Sequence, residues 1–178
     1  MHIQEALDSN LEDVLNVERT AFGYDKEAEL VRALLDDPTA LPRLSLLAFE
    51  GERAVGHVLF TSARLEQNPE AVSVALLAPL AVVADFQNQG VGGRLIERGI
   101  RILAGSGVDL VFVLGHPGYY PRHGFEPAGR LGFAAPYPIP DEDADAWMVQ
   151  ALRPGVIGKV EGTVVCAEAL NRPEHWRE

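Results

Sequence analysis

The stretch Gln87-Asn88-Gln89-Gly90-Val91-Gly92-Gly93-Arg94-Leu95 constrains this chain more than any other. It lies between a long apolar run, Val72 to Ala84, and an amphipathic pattern over Gly90 to Ala104. Gly92, Leu95, Ile96, Gly99, Ile100 and Leu103 recur on one helical face, and Arg94, Glu97, Arg98 and Arg101 fill the other. Gly105-Ser106-Gly107 stops the pattern. Val108 to Leu114 is then continuously apolar, as expected of a strand buried on both faces. Strand, helix and strand in that order imply a right-handed crossover and local parallel pairing. Pro79 interrupts the first run. Proline has no N–H for a ladder, so this strand should be irregular there or lose a neighbour.

The same segment suggests chemistry. Glycines let a backbone approach a ligand closely, and the first N–H groups of a helix have no partners within it. Such a turn suits a phosphate or pyrophosphate. The G-x-x-x-x-G-K-[ST] motif is absent, and the dinucleotide fingerprint G-x-G-x-x-G would need glycine where Leu95 stands. A glycine-rich helix start serving only close packing is the competing reading.

The rest of the chain reads as a mixed α/β domain with a largely antiparallel sheet and one embedded βαβ unit. His2 to Ala6 is a short strand. Asp8 or Ser9 caps a helix through Phe22, in which Leu11, Val14, Leu15 and Glu18 recur at helical spacing. A second helix runs from Asp25 to about Asp36 and ends at Pro38. Leu44 to Phe49 and Ala54 to Ala63 form a hairpin around Glu50-Gly51-Glu52-Arg53. Gly118 to Gly124 makes a short helix and turn, and Gly129 to Asp143 a long loop. Trp147 to Leu152 and Lys159 to Ala167 are two closing strands joined through Arg153-Pro154-Gly155. Residues 1–170 are expected to form a single domain, and 171–178 a C-terminal tail.

Composition narrows the function classes. With 26 acidic and 15 basic residues the formal net charge is −11. This argues against nucleic acid and anionic membranes as partners and favours cationic ones such as amines or basic peptides. The single cysteine, Cys166, allows no internal disulfide or cysteine-based zinc site, and it reads as core. His2, His57, His123 and His175 lack metal-ligand spacing, so no metal is expected. No apolar stretch reaches membrane-spanning length. The expectation is a soluble, cytoplasmic protein. The oligomeric state stays open, a homodimer included.

Gln87-x-x-Gly90-x-Gly92 resembles the Q/R-x-x-G-x-G/A signature of the GCN5-related N-acetyltransferases (GNATs). Tyr120-Pro121-Arg122-His123-Gly124-Phe125 resembles the family's Y-x-x-x-G-F segment. The spelling from Gly115 through Tyr120 to Phe125 is similar to a bacterial subgroup, the YhbS-like proteins. The resemblance implies a mostly antiparallel central sheet of about seven strands, helices on both faces, and a splayed strand pair holding acetyl-CoA as cosubstrate. It puts the pantetheine arm on Leu80, Ala81 and Val82. The pyrophosphate would lie on Gln87, Asn88, Gln89, Gly90, Val91 and Gly92, extending to Gly93 and Arg94. It gives Tyr120 the role of proton donor to the departing thiolate, with Tyr119 as runner-up or pocket wall. A backbone N–H near Leu80 or Val82 would stabilise the acetyl oxygen.

The implied reaction is direct transfer of acetyl to a primary amine of a small molecule or peptide in a ternary complex. Many relatives carry a carboxylate on the strand before the signature, but Val74 to Ala84 has none. Glu18, Asp85 and His116 are candidate bases, with water as the alternative. Each also has a bland reading: Glu18 on a solvated helix face, Asp85 in a turn or cap, His116 as a hydrogen-bonded loop residue. The missing carboxylate keeps a second reading alive, a catalytically weak or inactive acyl-CoA-binding regulatory module. The acceptor and the acyl-chain preference are not legible.

Overall fold

The computed structural model describes residues 1–177. β1 (His2–Glu5) leads through a short 3-10 turn into α1 (Leu11–Phe22), which Gly23 ends in the left-handed conformation. α2 (Lys26–Leu35) packs against α1. β2 (Leu44–Glu50) and β3 (Arg53–Leu65) form the expected hairpin. β4 (Val74–Val82), α3 (Val91–Gly105) and β5 (Leu110–Leu114) form the crossover unit, with β4 and β5 parallel. β6 (Glu126–Pro127), β7 (Phe133–Ala134), β8 (Trp147–Ala151) and β9 (Gly162–Val165) follow.

The main sheet has the order β1-β2-β3-β4-β5-β8-β6, and every pairing along it except β4–β5 is antiparallel. Helices cover both faces. Side chains alternate along a strand. His57 of β3 meets Glu18 of α1, whereas its neighbour Gly56 faces Val91 and Leu95 of α3. α1 and α3 therefore lie on opposite sides.

The C-terminal third departs from expectation. The two closing strands form, as Trp147–Ala151 and a shorter Gly162–Val165, but they do not pair with each other. β8 pairs with β5 and β6, while β9 pairs with the far end of β3 and with β7. Strand propensity marks a segment without naming its neighbour, and β8 takes the place beside β5 that the crossover left open. The segment read as a long loop supplies β7, two residues too short to leave a periodic signal. Phe112 of β5 stacks on Trp147 at 5.1 Å and meets Phe133 edge-on at 5.2 Å. Burying each such ring contributes about 1.5–3 kcal/mol. The end of the described chain folds back onto this cluster: Trp176 is buried, lies edge-on to Trp147, and donates its indole N–H to Leu170 O.

Asp37 ties that end to the body. Its carboxylate accepts hydrogen bonds from Thr39 N–H, Thr39 Oγ1 and Ala169 N–H, while Thr39 Oγ1 accepts one from Glu168 N–H. Burial pushes the Asp37 carboxyl up, but these bonds outweigh it and the net shift is downward from 3.8. The resulting stabilisation is present above the unfolded value and lost as pH falls through the lower native one. Asp37→Ala is expected to lose about 1–3 kcal/mol in urea unfolding at neutral pH, because charged hydrogen bonds go. The gap from wild type should close in acid.

Candidate active site

β4 and β5 are paired only at Val74–Leu110, Ala75–Val111 and Leu76–Phe112. Past that point β5 stays with β8 and β4 stays with β3. The β3–β4 register also shifts, with Val58 opposite Leu80 but Phe60 opposite Leu77. β4 thus carries an extra residue, the mark of a β-bulge, and Pro79 sits inside it. The strand is irregular and loses its neighbour where the proline predicts.

Backbone groups on a strand alternate sides. Val83 N–H donates to Val55 O at 3.0 Å, toward β3. Val82 and Leu80 therefore turn their N–H and C=O groups toward the gap. The Val82 carbonyl is taken there by the Gln87 side chain, whose Nε2 donates at 2.9 Å. Gln89 donates likewise to Asp85 O at 3.0 Å. These two amides fasten the signature loop to the strand end.

The loop turns into α3 through left-handed residues, Asn88 at φ 61° and Gly90 at φ 84°. A Cβ at Gly90 would meet nothing within 4 Å, so this glycine is required for its conformation and not for space. Gly92 is the reverse case, since a Cβ there would collide with Tyr119 Oη. Arg94 N–H makes an intrahelical bond to Gly90 O at 3.1 Å, leaving the N–H groups of Val91, Gly92 and Gly93 without intrahelical acceptors. Their partial positive charge adds to the helix dipole.

A cleft of about 540 Å³ lies in front of these groups. Leu80, Val82, Gln87, Asn88, Gly90, Val91, Gly92 and Gly93 line it, joined by Phe86, Tyr119, Arg122 and His123. Ala81, Gln89 and Tyr120 do not; Ala81 is buried, and Gln89 is exposed on the loop. The tyrosines divide unexpectedly. Tyr119 places its hydroxyl against Gly92, whereas Tyr120 is 8 % exposed, with its ring over Gly115 and edge-on to Phe125 at 5.7 Å. The two rings meet edge-on at 5.2 Å. Burial pushes the Tyr119 phenol above 10, opposed by the nearby Arg122 charge, so it is protonated at neutral pH. The contribution of Arg122 and His123 was not foreseen. The spacing of 119, 122 and 123 across one helical turn is the signal that would have found them.

The candidate bases are scattered. Asp85 is exposed and ion-pairs with Arg53 at 3.5 Å, in a 3-10 turn as its bland reading holds. His116 is exposed, and its carbonyl accepts from Tyr119 and Tyr120 N–H. Glu18 is a correction: it is fully buried instead of facing solvent, because α1 turns it onto the sheet where His57 Nδ1 lies 2.6 Å from Oε2. Its place in the apolar repeat with Leu11, Val14 and Leu15 was the sign. Burial pushes its carboxyl upward, opposed by the bond to His57. Cys166 is core, its thiol pushed up by burial to about 11.

A parallel strand pair parted beside a glycine-started helix is the arrangement that the resemblance to the acetyl-CoA-dependent GNATs implies. Residues 2–128 match the family model of the acetyltransferase (GNAT) domain, and the chain belongs to that family. It is 52 % identical to the uncharacterized N-acetyltransferase YjhQ of Escherichia coli over 152 residues, 85 % of this chain and 83 % of that protein. It is 31 % identical to E. coli YhbS over 155 residues, 86 % and 89 % of the two chains. The crystal structure of YhbS with CoA superimposes with a TM-score of 0.86 at 28 % identity, covering 96 % of this chain and 92 % of that one. A GNAT from Brucella melitensis with acetyl-CoA gives 0.75 at 27 % identity, covering 95 % and 97 %. The chain is thus a YhbS-like acyltransferase with acetyl-CoA as cosubstrate. Among the described residues no helix is long and apolar enough to cross a membrane.

Gly90→Val and Gly92→Val should each weaken acetyl-CoA binding at least ~10-fold, about 1.4 kcal/mol, in calorimetric titration. The first strains the left-handed turn; the second pushes Tyr119 into the cleft. Wild-type affinity in both would remove the loop from the binding site.

Proposed function

We propose that the protein transfers acetyl from acetyl-CoA to a primary amine by direct attack in a ternary complex. The observation that carries this reading is the open edge of β4, whose Leu80 and Val82 backbone groups face the gap beside the α3 N-terminus. The pyrophosphate lies on the loop from Gln87 to Gly92 and on Gly93. The pantetheine arm runs along Leu80, Ala81 and Val82, where its amides meet backbone groups that no β5 strand occupies. A Leu80 or Val82 N–H then stabilises the charge growing on the acetyl oxygen as the amine attacks.

The thiolate leaves with a proton from the tyrosine pair. The Y-x-x-x-G-F register favours Tyr120; the cleft lining favours Tyr119. A phenol in general can donate a proton, and burial holds the Tyr119 phenol above its ordinary value. β4 bears no carboxylate, Asp85 is ion-paired, and Glu18 is held by His57. We therefore route the amine proton through water. The acceptor is a small molecule or peptide amine, consistent with the net charge of −11. A regulatory module that binds acyl-CoA without turnover is the second reading, favoured only by the missing carboxylate.

Steady-state kinetics with an amine panel separates these. Tyr120→Phe should lower kcat ~100-fold or more and leave acetyl-CoA affinity near wild type, as expected for a lost general acid. The same loss in Tyr119→Phe alone would transfer the role to Tyr119. No turnover of any amine by wild type would leave the regulatory reading.

A further inference from the structure

A second constellation lies on the sheet face covered by α1. Glu18 and His57 are both fully buried, with His57 Nδ1 2.6 Å from Glu18 Oε2. On the other side of the ring, His57 Nε2 lies 2.9 Å from Ser45 Oγ on β2. The register explains the alignment. Leu47 opposes His57 and Ser45 opposes Leu59, so alternation puts Ser45 and His57 on one face, diagonal to each other.

Ser45 alone of the three reaches a cavity. It is half-buried and lines a space of about 480 Å³ formed with residues of β1, α1 and α2, apart from the acetyl-CoA cleft. Leu7 and Leu41, large apolar side chains that are 65 % and 52 % exposed, line this cavity with Leu11 and Leu35. Arg32 and Arg43 also line it, and neither is ion-paired among the described residues. The cavity carries carboxylates as well, so it is not simply an anion site.

A serine hydroxyl is a weak nucleophile until a neutral imidazole nitrogen stands ready for its proton. A carboxylate on the opposite ring nitrogen fixes the tautomer and stabilises the imidazolium that forms. A purely structural Glu–His pair would need neither the serine nor its cavity. We propose that Ser45, His57 and Glu18 form a hydrolytic site for small carboxylic esters with a short apolar acyl chain. Ser45 Oγ adds to the ester carbonyl carbon while its proton passes to His57 Nε2, and Arg43, which lines the same cavity, supplies the positive charge for the oxyanion. The carbon–oxygen bond to the alcohol breaks, and the imidazolium returns the proton to the leaving alkoxide. Water, deprotonated by the same imidazole, then cleaves the acyl-serine to a carboxylic acid and restores the hydroxyl.

The test treats the full-length protein with an alkyl fluorophosphonate and maps the adduct by mass spectrometry. One adduct at Ser45 is expected, and Ser45→Ala should hydrolyse p-nitrophenyl butyrate at least ~10-fold more slowly than wild type. Glu18→Gln, the conservative change, should slow labelling while the chain still melts cooperatively. Circular dichroism melting confirms that each variant is folded, independently of any acetyl-CoA reading. A folded wild type that takes no adduct at Ser45, or a folded Ser45→Ala with undiminished hydrolysis, would overturn the proposal.

Discussion

The parting of β4 from β5 is the constraint on which the rest of the site depends. A parallel pair held together along its whole length would consume the groups that must meet a ligand. Here pairing stops after Leu76 and Phe112. Pro79 and the bulge around it prevent β4 from offering a regular ladder, and β8 keeps β5 in the sheet by pairing on its far side. The stacked Phe112 and Trp147 rings belong to that β5–β8 pair, so the aromatic core holds open the gap it does not line. Packing at one end of the unit thus preserves unmet backbone polarity at the other.

The glycine-rich loop uses this gap in two different ways. Gly90 allows a left-handed turn that aims the first turn of α3 at the opening. Gly92 and Gly93 let Tyr119 and His123 lie directly on the helix; a Cβ at Gly93 would come within 2.7 Å of His123 Cε1. Close packing therefore accounts for Gly92 and Gly93, while Gly90 serves the backbone conformation of the turn. Local charge follows the same arrangement. Helix N–H groups and Arg122 line the cleft of a chain whose net charge is −11, so positive groups gather there against the sign of the whole.

What could be read in the sequence was what is encoded locally. The signature turn, the amphipathic α3, the β2–β3 hairpin and the disruption at Pro79 all depend on residues within one or two turns of each other. The partners of β8 and β9 did not, because propensity carries no address: β9 finds Arg64 and Leu65 of β3, about a hundred residues away in the chain. Glu18 departs from the expected solvated helix face for a related reason. A glutamate is ordinarily solvated, and only His57, 39 positions later, makes its burial tenable. The two tyrosines show the limit of motif register. The pattern names Tyr120, yet backbone bonds to the His116 carbonyl twist the segment so that Tyr119 presents its ring to the cleft.

The central claim is that the parted strands and the α3 N-terminus together hold acetyl-CoA. Isothermal titration of acetyl-CoA into the wild-type protein tests it most directly. Saturable binding of one molecule per chain, competed by free CoA, is the predicted result. The absence of binding heat at millimolar ligand, in protein shown to be folded, would contradict it and leave the glycine turn as a packing device alone.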